Sequence, residues 1–217
     1  MGNAIVIEEV ISKDFIDKTI GSFKEKMDVD EKVVQKVFDT FDNNSIESIM
    51  IKTIVLNNRY SAGLYDRVSE VEDVPIDVLS ISKLLKEYFS FIEPYPCAEE
   101  PKVIMHRLLE KYSNMYEKKC SPVSFLSKYI HWDYFTNGVK YDVPIYDGFS
   151  KGMVYRIWNG TQNGNKISQD SLKDYASFYD HFIFLKDWIN EKMDTSYSVK
   201  QLDMFFWMFG KENGIYI

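Results

Sequence analysis

All six prolines of this chain lie between Pro75 and Pro144. Proline lacks a backbone donor and its ring clashes with the preceding turn, so it breaks helices. The first 74 residues contain none and can run as uninterrupted helices. Apolar residues there recur at helical spacing, the signature of amphipathic helices. Phe15, Ile16, Thr19, Ile20 and Phe23 share one face, and Val33, Val34, Val37, Phe38 and Phe41 share another. Ile46, Ile49, Met50 and Ile54 make a third stripe, opened by Ser45.

The same spacing continues downstream. Ile81, Leu84, Leu85, Tyr88, Phe89 and Ile92 predict a helix, and the three prolines of Glu93–Pro101 then predict a loop. Ile104, Leu108, Leu109, Tyr112 and Met115 predict the next helix. Leu172, Tyr175, Tyr179, Phe182, Ile183 and Ile189 predict a long one whose stripe is interrupted at Lys186. Ser198 is placed to cap a last helix carrying Leu202, Phe205, Phe206 and Phe209, with Gly210 as its stop. Extended structure is expected at Val139–Ile145 only. The pattern predicts an all-α fold of roughly eight to ten helices. The polar run Asn159–Asn165 is expected to be a turn or mobile loop, more an insertion than a domain linker. With no convincing boundary or repeat, residues 1–217 are expected to form one compact helical domain of two lobes.

Composition narrows the function classes. At 45% hydrophobic and 16% aromatic residues, the chain can build a sizeable core and is not globally disordered. Its net charge of −7 argues against tight nonspecific nucleic-acid binding, though a local basic patch is compatible with it. Cys97 and Cys120 are too few for a four-cysteine metal site, and His106, His131 and His181 show no ligand spacing, so no metal or other cofactor is expected. No signal peptide or membrane span is evident, which predicts a cytoplasmic protein without a membrane partner.

Two residues suggest chemistry. Ser121 is placed to cap a helix that would carry Lys128 one or two turns in, and Asp147 follows a short extended run where a new helix should begin. An amine able to attack a sugar carbon, with a carboxylate able to hold positive charge, is the chemistry of base excision.

The order of motifs around them resembles the helix-hairpin-helix DNA glycosylase superfamily. Ile49–Ser61, with Leu56-Asn57-Asn58-Arg59-Tyr60, resembles the apolar helix and polar turn that open that family's core. Ser121 to Lys128, then Pro144 to Asp147, follow in the family's order of hairpin, lysine, return segment and aspartate. The resemblance covers roughly residues 45–210 and implies a two-lobed glycosylase-like core with DNA as a partner. It implies that Lys128 attacks the sugar C1′ carbon and that Asp147 stabilises the positively charged sugar. Asn57, Asn58, Tyr60, His131 and Trp132 would line the pocket for an extruded base. Ser121, Lys118 and Lys119 would contact phosphate.

The sequence departs from the family in two places. The hairpin run Pro122-Val-Ser-Phe-Leu126 has no glycine, and two residues rather than one separate Pro144 from Asp147. A basic window partly compensates. Lys102, Arg107, Lys111, Lys118, Lys119 and Lys128 face only Glu110 and Glu117 between positions 102 and 128. Plainer roles exist for each residue: a surface lysine at 128, an N-cap at 147, a helix end at Asn57–Asn58, and a solvated face for the basic window. The corresponding alternative function is a non-catalytic helical module that holds nucleic acid or protein, as in mobile-element or defence-associated proteins.

Overall fold

The computed structural model describes residues 12–60, 78–90, 99–115, 121–161 and 165–217. Among these the chain is all-α. Its helices are α1 (Lys13–Thr40), α2 (Ile46–Tyr60), α3 (Val78–Ser90), α4 (Pro101–Met115), α5 (Val123–Thr136), α6 (Gly148–Thr161), α7 (Tyr175–Met193) and α8 (Val199–Glu212), with a short 3-10 turn at Asp170–Leu172. The two stripes expected within the first 41 residues merge into one helix, α1. The chain divides into two compact units, Val29–Tyr141 and Met1–Asp28 together with Asp142–Ile217.

In the Val29–Tyr141 unit, α2 packs on α3, α3 on α4, α4 on α5, and α2 also on α5. Ser45 caps α2, its hydroxyl oxygen accepting from the Ser48 amide at 3.0 Å. Ile49 of α2, Ile81, Leu84 and Leu85 of α3, and Ile104 and Leu108 of α4 are buried as their spacing predicts, and Leu56 and Met105 join them, whereas Ile54 and Met115 of the expected stripes are exposed. Each buried side chain contributes about 1.5–3 kcal/mol on leaving water. α5 is different: every residue from Phe125 to Tyr134 is buried. A helix enclosed on all sides presents no face to solvent, so α5 is the centre of this unit. Ser121 does not cap it. The capping position falls on Pro122, and no side chain accepts a bond there.

In the second unit α6, α7 and α8 pack on one another. Met153, Val154 and Ile157 of α6 meet a core with Phe178, Phe182, Leu185 and Ile189 of α7 and Leu202, Phe205 and Phe206 of α8. α7 begins later than its apolar spacing suggested. Leu172 belongs to the 3-10 turn, and Asp174 caps α7 by accepting from the Ser177 amide at 2.9 Å. Ser198 caps α8 in a reciprocal capping box with Gln201. Gly210 does not stop α8, which runs on to Glu212; a side chain at Gly210 would instead press on Phe149 and the Ile215 carbonyl. Its role is close packing.

Where extended structure was expected, no strand occurs among the described residues, and the residues from Asp142 to Tyr146 are in neither helix nor strand. Their backbone groups are met by side chains instead. The Ile145 amide donates to the buried Asp203 carboxylate at 2.9 Å, and the Tyr175 hydroxyl donates to the Pro144 carbonyl at 3.1 Å. Lys186, the break in the α7 stripe, reaches Asp142 at 3.0 Å. Burial pulls its amine down, but Asp142 and Asp187 outweigh that and raise it above its ordinary value.

Candidate functional site

α5 gathers several of the predicted residues on one face. Lys128 is 5% exposed, so it is not a surface lysine. Its Nζ donates to the Ser124 hydroxyl at 2.9 Å, one turn earlier. His131 and Trp132 stand one turn further on, at the i+3 and i+4 positions that share a face with Lys128. Both are buried, with ring centroids 5.9 Å apart. The Tyr60 ring, at the end of α2, lies 6.4 Å from that of Trp132. Asn57, one turn before Tyr60, is buried, whereas Asn58 is exposed. Thus Lys128, His131, Trp132 and Tyr60 come together within one unit. Asn58 points away from the core, and Ser121 is exposed. Lys118 and Lys119 lie outside the described residues.

Asp147 belongs to the other unit and caps α6, its carboxylate accepting from the Ser150 amide at 2.8 Å. One turn along, the Lys151 amide donates to the Asp147 carbonyl at 3.0 Å. The Lys151 Nζ sits 4.6 Å from the centroid of the Tyr146 ring. Burial pulls the Lys151 amine below its ordinary value; the Asp147 carboxylate opposes this and the Lys173 cation adds to it.

A third cluster was not foreseen. Lys52 and Asp133 are 1% and 0% exposed and lie 3.7 Å apart. Asn43 joins them. Its carbonyl oxygen accepts from Lys52 Nζ at 3.0 Å and from the Tyr129 hydroxyl at 2.7 Å, and its amide nitrogen donates to Asp133 at 2.8 Å. The Phe38 ring lies 4.9 Å from the Lys52 amine. Burial lowers the Lys52 amine despite the pull of Asp133. Burial also pushes the Tyr129 hydroxyl well above its ordinary value, and Asp133 adds to this. One sequence signal was present: Lys52 falls on the α2 face defined by Ile49 and Leu56, where an apolar residue is expected.

Among the described residues no group of three or more His, Cys, Asp or Glu side chains is disposed to hold a metal ion. Among them, no helix is long and apolar enough to cross a membrane.

The class defined so far is an all-α protein whose central helix carries a buried lysine beside an aromatic cluster. A family model, HI_0787_N, described as an N-terminal domain, matches residues 12–136. That is more than half of the chain, which therefore belongs to this family. Among curated proteins and among solved structures, nothing matches the chain. The matched residues include Lys128, His131, Trp132, Asn57 and Tyr60, and end before Asp147 and Lys151.

Proposed function

We propose that the chain is a DNA glycosylase-like protein that excises a damaged or modified base, with Lys128 as the amine and Asp147 as the carboxylate. The observation that supports this reading is the α5 face itself. A buried amine shares that face with His131 and Trp132, and Trp132 neighbours the Tyr60 ring. Aromatic rings suit stacking on an extruded base, and an amine withdrawn from water suits attack on a sugar carbon. Asp147 is fixed as a helix cap, so its second oxygen remains to stabilise positive charge.

The test is base release from duplex oligonucleotides carrying oxidised, alkylated or deaminated bases. Wild type should release at least one of them, and Asp147→Asn should slow release by about a hundredfold or more. A specific observation favours the second reading, a non-catalytic binding module: Lys128 is already held by Ser124 and nearly sealed from solvent. Wild type that binds these oligonucleotides without releasing any base would establish that reading and sink the first.

A further inference from the structure

Lys128 and Ser124 stand one turn apart on α5, with Nζ 2.9 Å from Oγ. They differ in access. Lys128 is 5% exposed, whereas Ser124 is only partly buried and precedes the run in which every residue is enclosed. An amine inside the core therefore touches a hydroxyl at its edge. Withdrawal from water disfavours the charged form of an amine. A neutral amine at this distance can accept the hydroxyl proton, which is what a serine needs in order to attack.

Ser124 also holds a particular place on its helix. Pro122 takes the capping position, and no side chain accepts a bond there. The Leu126 amide forms the first rung of the helix by donating to the Pro122 carbonyl at 2.9 Å. The amides of Ser124 and Phe125 precede that rung, so no carbonyl within the helix receives them. They lie at the positive end of the helix dipole. Such amides are the donors available to an oxygen that gains negative charge at Ser124.

We infer that Ser124 and Lys128 form a nucleophile–base dyad that hydrolyses a carboxylic ester, an activity beyond the base-excision reading. In that reading the lysine attacks; here it moves a proton and Ser124 Oγ attacks. Oγ bonds to the ester carbon, its proton passes to Lys128 Nζ, and the carbonyl π pair moves to oxygen beside the first-turn amides. That pair then returns and breaks the bond to the leaving alkoxide, which takes the proton from Lys128 and departs as the alcohol. Water attacks the acyl-serine in the same way. It gives its proton to Lys128 and releases the carboxylic acid as Ser124 recovers the proton.

Full-length protein is incubated with a fluorophosphonate, which phosphonylates an activated serine with loss of fluoride. The labelled protein is then digested and mapped by mass spectrometry. The label is expected on the peptide containing Ser124. Hydrolysis of para-nitrophenyl acetate is followed in parallel. Ser124→Ala should slow it by about a hundredfold or more. Lys128→Arg keeps a donor to Ser124 but stays charged, and should slow both labelling and hydrolysis by a similar factor. Label on another serine, or no label, overturns the inference. So does a Ser124 label that forms equally fast in Lys128→Arg, because the base would then lie elsewhere. Base release from oligonucleotides is scored separately, so failure here leaves the base-excision reading to its own test. Mapping uses wild type, so the result stands even where a variant folds poorly.

Discussion

Lys52 and Asp133 form an ion pair 3.7 Å long with side chains 2% and 0% exposed. Taking two charges out of water is costly, and breaking such a pair leaves one of them stranded. Lys52→Met or Asp133→Leu alone should therefore destabilise the fold by about 3–5 kcal/mol. The Lys52→Met/Asp133→Leu double variant should lose much less than the sum of the two. Urea unfolding of the three variants, analysed as a double-mutant cycle, checks this; additive losses would show that the pair is not coupled.

Asp203 should be needed for the segment 142–146 rather than for its own helix. Its buried carboxylate accepts from the Ile145 amide at 2.9 Å and from the Ser150 hydroxyl at 3.4 Å. Asp203→Ala leaves a backbone amide without an acceptor, at a cost of about 1–3 kcal/mol. Hydrogen exchange at Ile145 should accelerate in this variant before exchange in α7 does.

Two glycines of α6 should respond differently to alanine. A Cβ on Gly152 would stand 3.0 Å from the Ile215 side chain and 3.1 Å from its carbonyl oxygen. The C-terminal segment would have to move, so Gly152→Ala should cost about 1–3 kcal/mol. The atoms nearest a Cβ on Gly148 belong to the Tyr216 ring, which is 70% exposed and can turn aside at the cost of its edge contact with Phe149. Thermal unfolding should rank Gly148→Ala well above Gly152→Ala.

Alkali should unfold the protein through its tyrosines. Burial pushes the Tyr146 hydroxyl from 10.0 up to about 12, with a smaller contribution from Asp174. The folded state thus holds that proton more tightly than the unfolded chain does. Stability from this group is full below pH 10.0 and is lost as pH rises towards about 12. Tyr88, Tyr129, Tyr134 and Tyr197 are all shifted in the same direction, burial being the largest cause for each. Tyr146→Phe should flatten part of this alkaline decline, measured as urea midpoints across that pH range; an unchanged slope would contradict the shift.

The helical class was legible because periodicity is local. Ser198 with Gln201, and Ser45 with Ser48, could be read as caps because each pair spans three residues. Lys128 could be singled out by order and type, but not its burial, since lysine is ordinarily exposed. The Lys52–Asn43–Asp133–Tyr129 network was invisible as a unit because its members join only through tertiary packing. Gly210 misled for a related reason: close packing and helix termination favour the same residue, and only the neighbours distinguish them. Val139–Ile145 has strand-like composition, but side chains, not a second strand, meet its backbone.

An apolar stripe normally tells a helix which way to face. α5 has no such compass, because Phe125 to Tyr134 are buried all the way round. Burial by itself would tolerate turning this helix about its axis. The Tyr129 and Asp133 bonds to Asn43 and the Tyr134 bond to the Glu99 carbonyl, at 2.7, 2.8 and 2.8 Å, act as angular stops. What these polar groups set is a bearing: the direction in which Lys128, His131 and Trp132 look out from the middle of a core.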